Sequence, residues 1–162
     1  MIKWFKKKTP RAWQFGDKPK VHWLSTNKSK YDMETFCKIA LTQILNINDI
    51  ELIIITNDKV LNRFDSSNIE MQALLQCDFE KHKYRLTLHS KISQSMLSII
   101  ICHELIHLKQ YEKGELKAAK GGMIWKGDFY KKETPYFDRP WEIEANKEME
   151  FLEKDVLKLY YE

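Results

Sequence analysis

Ser93-Gln-Ser-Met-Leu-Ser-Ile-Ile-Ile-Cys-His103-Glu104-Leu105-Ile106-His107-Leu-Lys-Gln-Tyr-Glu-Lys113-Gly114 is the stretch whose reading decides this chain. Ile99, Ile100, Ile101, Leu105, Ile106 and Leu108 leave it few polar sides, so it reads as a buried helix. Ser93 is an N-cap type of residue, and Gly114 after Lys113 is a stop. On such a helix His103 and His107, four apart, share one face with Cβ atoms about 5–6 Å apart. Both imidazoles can then reach one zinc ion at about 2.0–2.1 Å. Glu104 is turned about 100° from His103 around the axis. From there it addresses a water at the open position of the ion rather than the ion itself. Two histidines and a glutamate among so many aliphatic side chains are costly to bury unless they are paired or bind metal. The segment therefore points to a Zn2+ site in which His103 and His107 are ligands and Glu104 is a general base.

A catalytic zinc site needs a third protein ligand, with water as the fourth. Cys102 adjoins His103 and points off its face, and Cys77 falls in a predicted strand with no glycine-rich cysteine motif around it. No histidine follows the motif, since His22, His82 and His89 all precede it. A carboxylate from the last helix remains, and Arg139-Pro-Trp-Glu-Ile-Glu-Ala-Asn-Lys-Glu148 offers Glu142 and Glu144. Two apart on a helix, they diverge by about 200°, so only one of them faces the metal.

Further out, the chain organises into recognisable elements. Residues 20–24 read as a short strand after an irregular segment. Apolar positions from Met33 to Leu45 recur at helical spacing over 32–47, with Asp32 and Glu34 at the positive end of that helix. Residues 51–56 are β-branched and flanked by Asn-Asp pairs, which predicts a strand, and 58–64 one helical turn. Alternation at 69–79 and again at 84–88 predicts an antiparallel hairpin. A glycine-containing, aromatic loop is expected over 121–130, before a final helix from Pro140 to about Tyr160. The order of elements is that of an α+β domain, a small sheet backed by helices.

The 162 residues fit one domain large enough for a real core. Hydrophobic residues at 43% and charged residues at 31% are those of a soluble globular protein. Three scattered cysteines, Cys37, Cys77 and Cys102, argue against a disulfide framework. With no secretory signal pattern and no apolar run near the 20 residues of a membrane span, a cytoplasmic protein is expected. The net charge of +4 hides an asymmetry: residues 1–30 carry nine Lys or Arg against one Asp. Trp4, Phe5, Trp13, Phe15 and Trp23 are interleaved among those charges. The expectation is a basic arm, 1–30, that faces water or touches nucleic acid weakly, followed by a single domain, 31–162.

H-E-x-x-H followed one loop later by a helix reading E-x-x-A-[D/N] resembles the gluzincin arrangement of zinc peptidases. It is shared by small bacterial and phage metallopeptidases of the ImmA/IrrE type, and SprT-like proteins have a related layout with histidine as third ligand. The matching segment is Glu142-Ile-Glu-Ala145-Asn146. The resemblance implies Glu142 as the third ligand and Asn146, one turn on, as a group that steadies a ligand. A competing register has Glu144 as ligand with Glu148 one turn on. The resemblance covers residues 93–150 and departs at Lys147, Glu148 and Met149, where small residues usually follow. It implies a zincin-like (minigluzincin) domain with a small, mostly antiparallel sheet packed on the motif helix and the C-terminal ligand helix. It also implies hydrolysis of a protein or peptide, with the hairpin at 69–89 aligning the substrate strand. Tyr130 and Tyr136, in the loop between the ligand helices, are candidate donors to the oxyanion. Two other readings follow from the same residues: a zinc-binding structural or regulatory module without turnover, and a DNA-associated protein that works through its basic arm.

Overall fold

Lys20–Trp23 (β1), Glu51–Thr56 (β2), Ala73–Asp78 (β3) and Lys83–Leu88 (β4) form one mixed sheet in the order β1-β2-β4-β3. The coordinates are a computed structural model that describes residues 18–64 and 71–162. β1 lies parallel to β2, β2 parallel to β4, and β3 antiparallel to β4. The architecture is thus α+β, but the sheet under the motif helix is not mostly antiparallel as expected.

The reason lies in β1. Its connection to β2 runs through a helix, and a helical crossover returns the chain in the same direction. With residues 1–30 taken as an arm outside the domain, that β-α-β unit has no first strand. In the structure Val21 is 4% exposed in the core and Lys20–Trp23 pairs along its length with Glu51–Ile54. Residues 1–17, which hold most of the basic charge of the arm, lie outside the described residues, as does Ile69 at the start of the expected hairpin.

The crossover helix Met33–Ile39 (α1) is capped by Asp32, whose carboxylate accepts from the Thr35 amide at 3.2 Å. A wider π turn, Ala40–Ile44, continues it, and Asn46 ends it in the left-handed region at φ 55°. Asp58–Phe64 (α2) follows β2, with the Asn57 side chain accepting from the Val60 amide. The hairpin β3–β4 turns through a 3-10 segment and His82 at φ 50°.

Leu97–Glu112 (α3) is the motif helix. It starts one turn later than Ser93, whose carbonyl accepts from the amides of Met96 and Leu97 in a preceding turn. It ends as the sequence predicts. Gly114 sits at φ 71°, its amide donating to the Tyr111 carbonyl and that of Glu115 to Gln110, the paired bonds of a Schellman stop. Phe36, Ile39 and Leu41 from the crossover, Leu52, Ile54, Leu86 and Leu88 from the sheet, and Leu97, Ile101 and Leu105 from α3 are fully buried in one core.

Where a loop was expected, Leu116–Ala119 (β5), Gly122–Trp125 (β6) and Asp128–Lys131 (β7) form a second, antiparallel three-stranded sheet. Lys126 and Gly127 join β6 to β7 with φ of 47° and 92°, the two-residue turn whose twist suits a hairpin. This small sheet packs Leu116 and Trp125 against Trp141, a second core apart from the first. Trp141 stands at the start of Pro140–Tyr160 (α4), where Pro140 occupies the first turn. The side sheet therefore anchors the end of α4 that faces α3. Among the described residues no helix is long and apolar enough to cross a membrane.

Candidate metal centre

α3 presents His103 and His107 on one face, and the first turn of α4 brings Glu142 over them. His103 Nε2 and His107 Nε2 lie 3.2 and 3.1 Å from Glu142 Oε2, and 3.0 Å from each other. The two rings meet edge to face with centroids 4.6 Å apart. All three side chains are largely out of water, His103 at 14%, His107 at 10% and Glu142 at 15% exposed. Ala145, one turn along α4 and fully buried, has only a methyl group between the helices.

These residues suit one divalent metal ion. Tetrahedral zinc with bonds of about 2.0–2.1 Å holds its ligand atoms about 3.3 Å from one another. The three donor atoms stand at 3.0 to 3.2 Å, so a small outward movement of the side chains would bring them to that spacing. Two imidazole nitrogens and a carboxylate oxygen are also the borderline donor set that zinc prefers. His103, His107 and Glu142 are the group that could hold a metal among the described residues.

Electrostatics within the cluster follow from that crowding. Burial would raise the Glu142 carboxyl, but its hydrogen bonds from both histidines and their charge outweigh burial and hold it well below the usual range. Burial would lower His107, but the Glu142 hydrogen bond, the charges of Glu104 and Glu142, and Gln110 push it up to about 9. Glu104 is raised chiefly by its burial, opposed by the two histidines and reinforced by Glu142. Among the described residues no hydrogen bond holds the Glu104 carboxylate, which stays beside the cluster without joining it.

Glu144 does not face the histidines. Its Oε2 accepts from Gln110 Nε2 at 2.7 Å, and it lies 3.8 and 4.0 Å from the ammonium groups of Lys109 and Lys126. Gln110 in turn accepts from His107 Nδ1 at 2.8 Å. The divergence of two positions on a helix separates the carboxylates as expected, one to the histidines and one to the residue behind them.

The two tyrosines named from the loop part company. Tyr130 packs edge-on against Trp141 at 5.6 Å, in the second core. Tyr136 lies in the 3-10 turn Tyr136–Asp138 ahead of α4, and Asn146 donates to its hydroxyl at 3.2 Å. Burial, reinforced by the charge of Glu142 and a hydrogen bond to it and opposed by Asn146, pushes Tyr136 up to about 12. Asn146 thus holds the Tyr136 hydroxyl.

Cys102 is buried beside Cys37 rather than at the cluster, and burial together with Cys37 raises its thiol far above the usual range. Gln110 was not singled out in the sequence. Its signal there is a polar residue one turn after His107, on the same face of the helix, and it is fully buried. Comparison of the chain with known protein families, with curated proteins and with solved structures finds no match.

Proposed function

We propose that this protein is a zinc-dependent peptidase of the gluzincin type, with His103, His107 and Glu142 as metal ligands and Glu104 as general base. The observation that carries the reading is the meeting of three donor atoms from two helices within 3.2 Å, with an uncommitted carboxylate next to them. Zinc bound there supplies a Lewis acid for a carbonyl and acidifies water, chemistry that no side chain offers at neutral pH. Glu104 takes a proton from the attacking water and delivers it to the leaving amine. The Tyr136 hydroxyl, at the rim of the cluster, is a donor for the charge that develops on the carbonyl oxygen. Asn146 keeps that hydroxyl in place.

The alternative of a purely structural zinc site is disfavoured by ligand count. Structural sites are closed by four protein ligands, whereas three side chains make up this group among the described residues. A structural site also has no use for Glu104.

Glu104→Gln is expected to retain zinc and lose peptide hydrolysis, while Glu142→Ala loses zinc. Both are read by metal analysis of purified protein and by cleavage of a mixed peptide library. The reading is sunk if no preparation contains zinc and His103→Ala leaves stability unchanged.

A further inference from the structure

The structure assigns Gln110 as the positioning residue that fixes His107 for its metal, and Glu144 as the group that fixes Gln110. The inference rests on the zinc reading for its purpose but not for its geometry.

Gln110 is fully buried between α3 and α4, and all of its side-chain polar atoms are used. Its Nε2 donates twice, to the Trp141 carbonyl at 3.0 Å and to Glu144 Oε2 at 2.7 Å. A carbonyl and a carboxylate only accept, so the amide cannot be turned over without setting oxygen against oxygen on both. Oε1 is thereby committed to face His107 Nδ1, at 2.8 Å. An amide oxygen only accepts, so Nδ1 must carry a proton. A neutral His107 then has its lone pair on Nε2, the nitrogen that points at His103 and Glu142. The orientation of one amide decides which nitrogen of a histidine is free for a metal.

Glu144 is itself placed. Lys109 and Lys126 lie on its two oxygens, and both also approach Glu115, at 3.7 and 3.5 Å. Lys126 belongs to the turn between β6 and β7, so the chain of contacts runs from the side sheet through Glu144 and Gln110 to His107. Trp141, whose carbonyl holds the other amide hydrogen, is the residue before Glu142. Gln110 thus ties the ligand on α3 to the ligand on α4 through one side chain.

The test has a readout independent of metal and of turnover. Long-range nitrogen–proton NMR of the chelator-treated wild-type protein, in alkaline solution where the imidazole is neutral, is expected to show His107 wholly as the Nδ1–H tautomer. The Nε2–H tautomer there overturns the proposal whether or not zinc binds. Gln110→Met keeps the volume and removes both hydrogen-bonding ends. It is expected to weaken zinc affinity about 10- to 100-fold in a chelator competition and to mix the tautomers. Gln110→Glu combined with Glu144→Gln keeps an acceptor on His107 Nδ1 and restores a donor opposite it, but sets a carboxylate oxygen against the Trp141 carbonyl, so it is expected to recover the single tautomer and only part of the lost affinity. Unchanged affinity and a single Nδ1–H signal in Gln110→Met overturn the assignment. A wild-type protein that shows the tautomer but binds no zinc retains the positioning and refutes only the zinc reading.

Discussion

Removing the metal should reverse the sign of the pH dependence of stability. In chelator-treated protein the His107 imidazolium is held by the Glu142 carboxylate, which pushes its pKa from 6.5 up to about 9. A group raised on folding contributes stability that is fully present below its unfolded value and lost as pH rises through its folded value. Glu142, lowered on folding, contributes stability that is present above its ordinary value of 4.5 and lost as pH falls. The same contact underlies both, so it is counted once, and its stabilisation is greatest between about pH 4.5 and 6.5. At about 1.4 kcal/mol per pH unit, the rise to about 9 amounts to about 3 kcal/mol lost on going from pH 6.5 to beyond 9. The two side chains are 10% and 15% exposed, so solvent screening takes little of this. For a chain of this size that corresponds to a Tm lower by roughly 6–12 °C. Zinc needs the Nε2 lone pair, so in the loaded protein the proton competes with the ion, and affinity rises up to tenfold per pH unit until about pH 9. The assay is a set of thermal melts from pH 5 to 10, with excess chelator or with saturating zinc, on the wild type and on Glu142→Gln. The substitution should flatten the metal-free slope above pH 6.5. A wild-type metal-free Tm that is constant or rising between pH 6.5 and 9, or a Glu142→Gln profile that keeps the wild-type slope, refutes the reasoning.

Substitutions in the two cores should separate stability from metal binding. Leu86→Ala, at a fully buried side chain of the main sheet, should cost about 2–5 kcal/mol in denaturant unfolding yet leave the zinc affinity of the folded protein unchanged. Trp141→Ala opens the second core next to Glu142 and should lower both, by about 3–5 kcal/mol and at least tenfold in affinity. A Cβ on Gly122 would lie 2.0 Å from the Tyr130 carbonyl oxygen. Gly122→Ala should therefore break the β6–β7 pairing at a cost of about 1–3 kcal/mol, seen as faster amide exchange confined to 116–131. Native-state alkylation should be slow at Cys37 and Cys102, both buried with raised thiols, and measurable first at the half-buried Cys77, raised to about 11 chiefly by burial; mass spectrometry after a timed pulse reads the order.

Elements whose cause lies within their own residues were legible. The strand at 51–56, the hairpin partner at 83–88 and the helix from Pro140 to Tyr160 follow from alternation, β-branching and capping chemistry in the sequence. What was missed depends on remote partners. β1 reads as a strand in the sequence, but its place in the domain's sheet depends on the edge that Glu51–Ile54 offers it, which its basic neighbours in the arm do not show. β5, Lys-Ala-Ala after Leu116, has no β-branched residue and is a strand only through its pairing with Gly122–Trp125. The same division runs through the centre. His103, Glu104 and His107 are set by a spacing that any helix of this composition imposes. Glu142 and Glu144 could not be told apart by spacing, because both point at residues of α3, about 200° apart around α4. In the fold each carboxylate has its own partner one turn apart on α3, Glu142 at His107 and Glu144 at Gln110. The two registers are therefore not rivals for one position. A pair of glutamates two apart serves two successive turns of the facing helix, and exchanging their tasks would require α4 to rotate by more than half a turn, which Trp141 in its own core prevents.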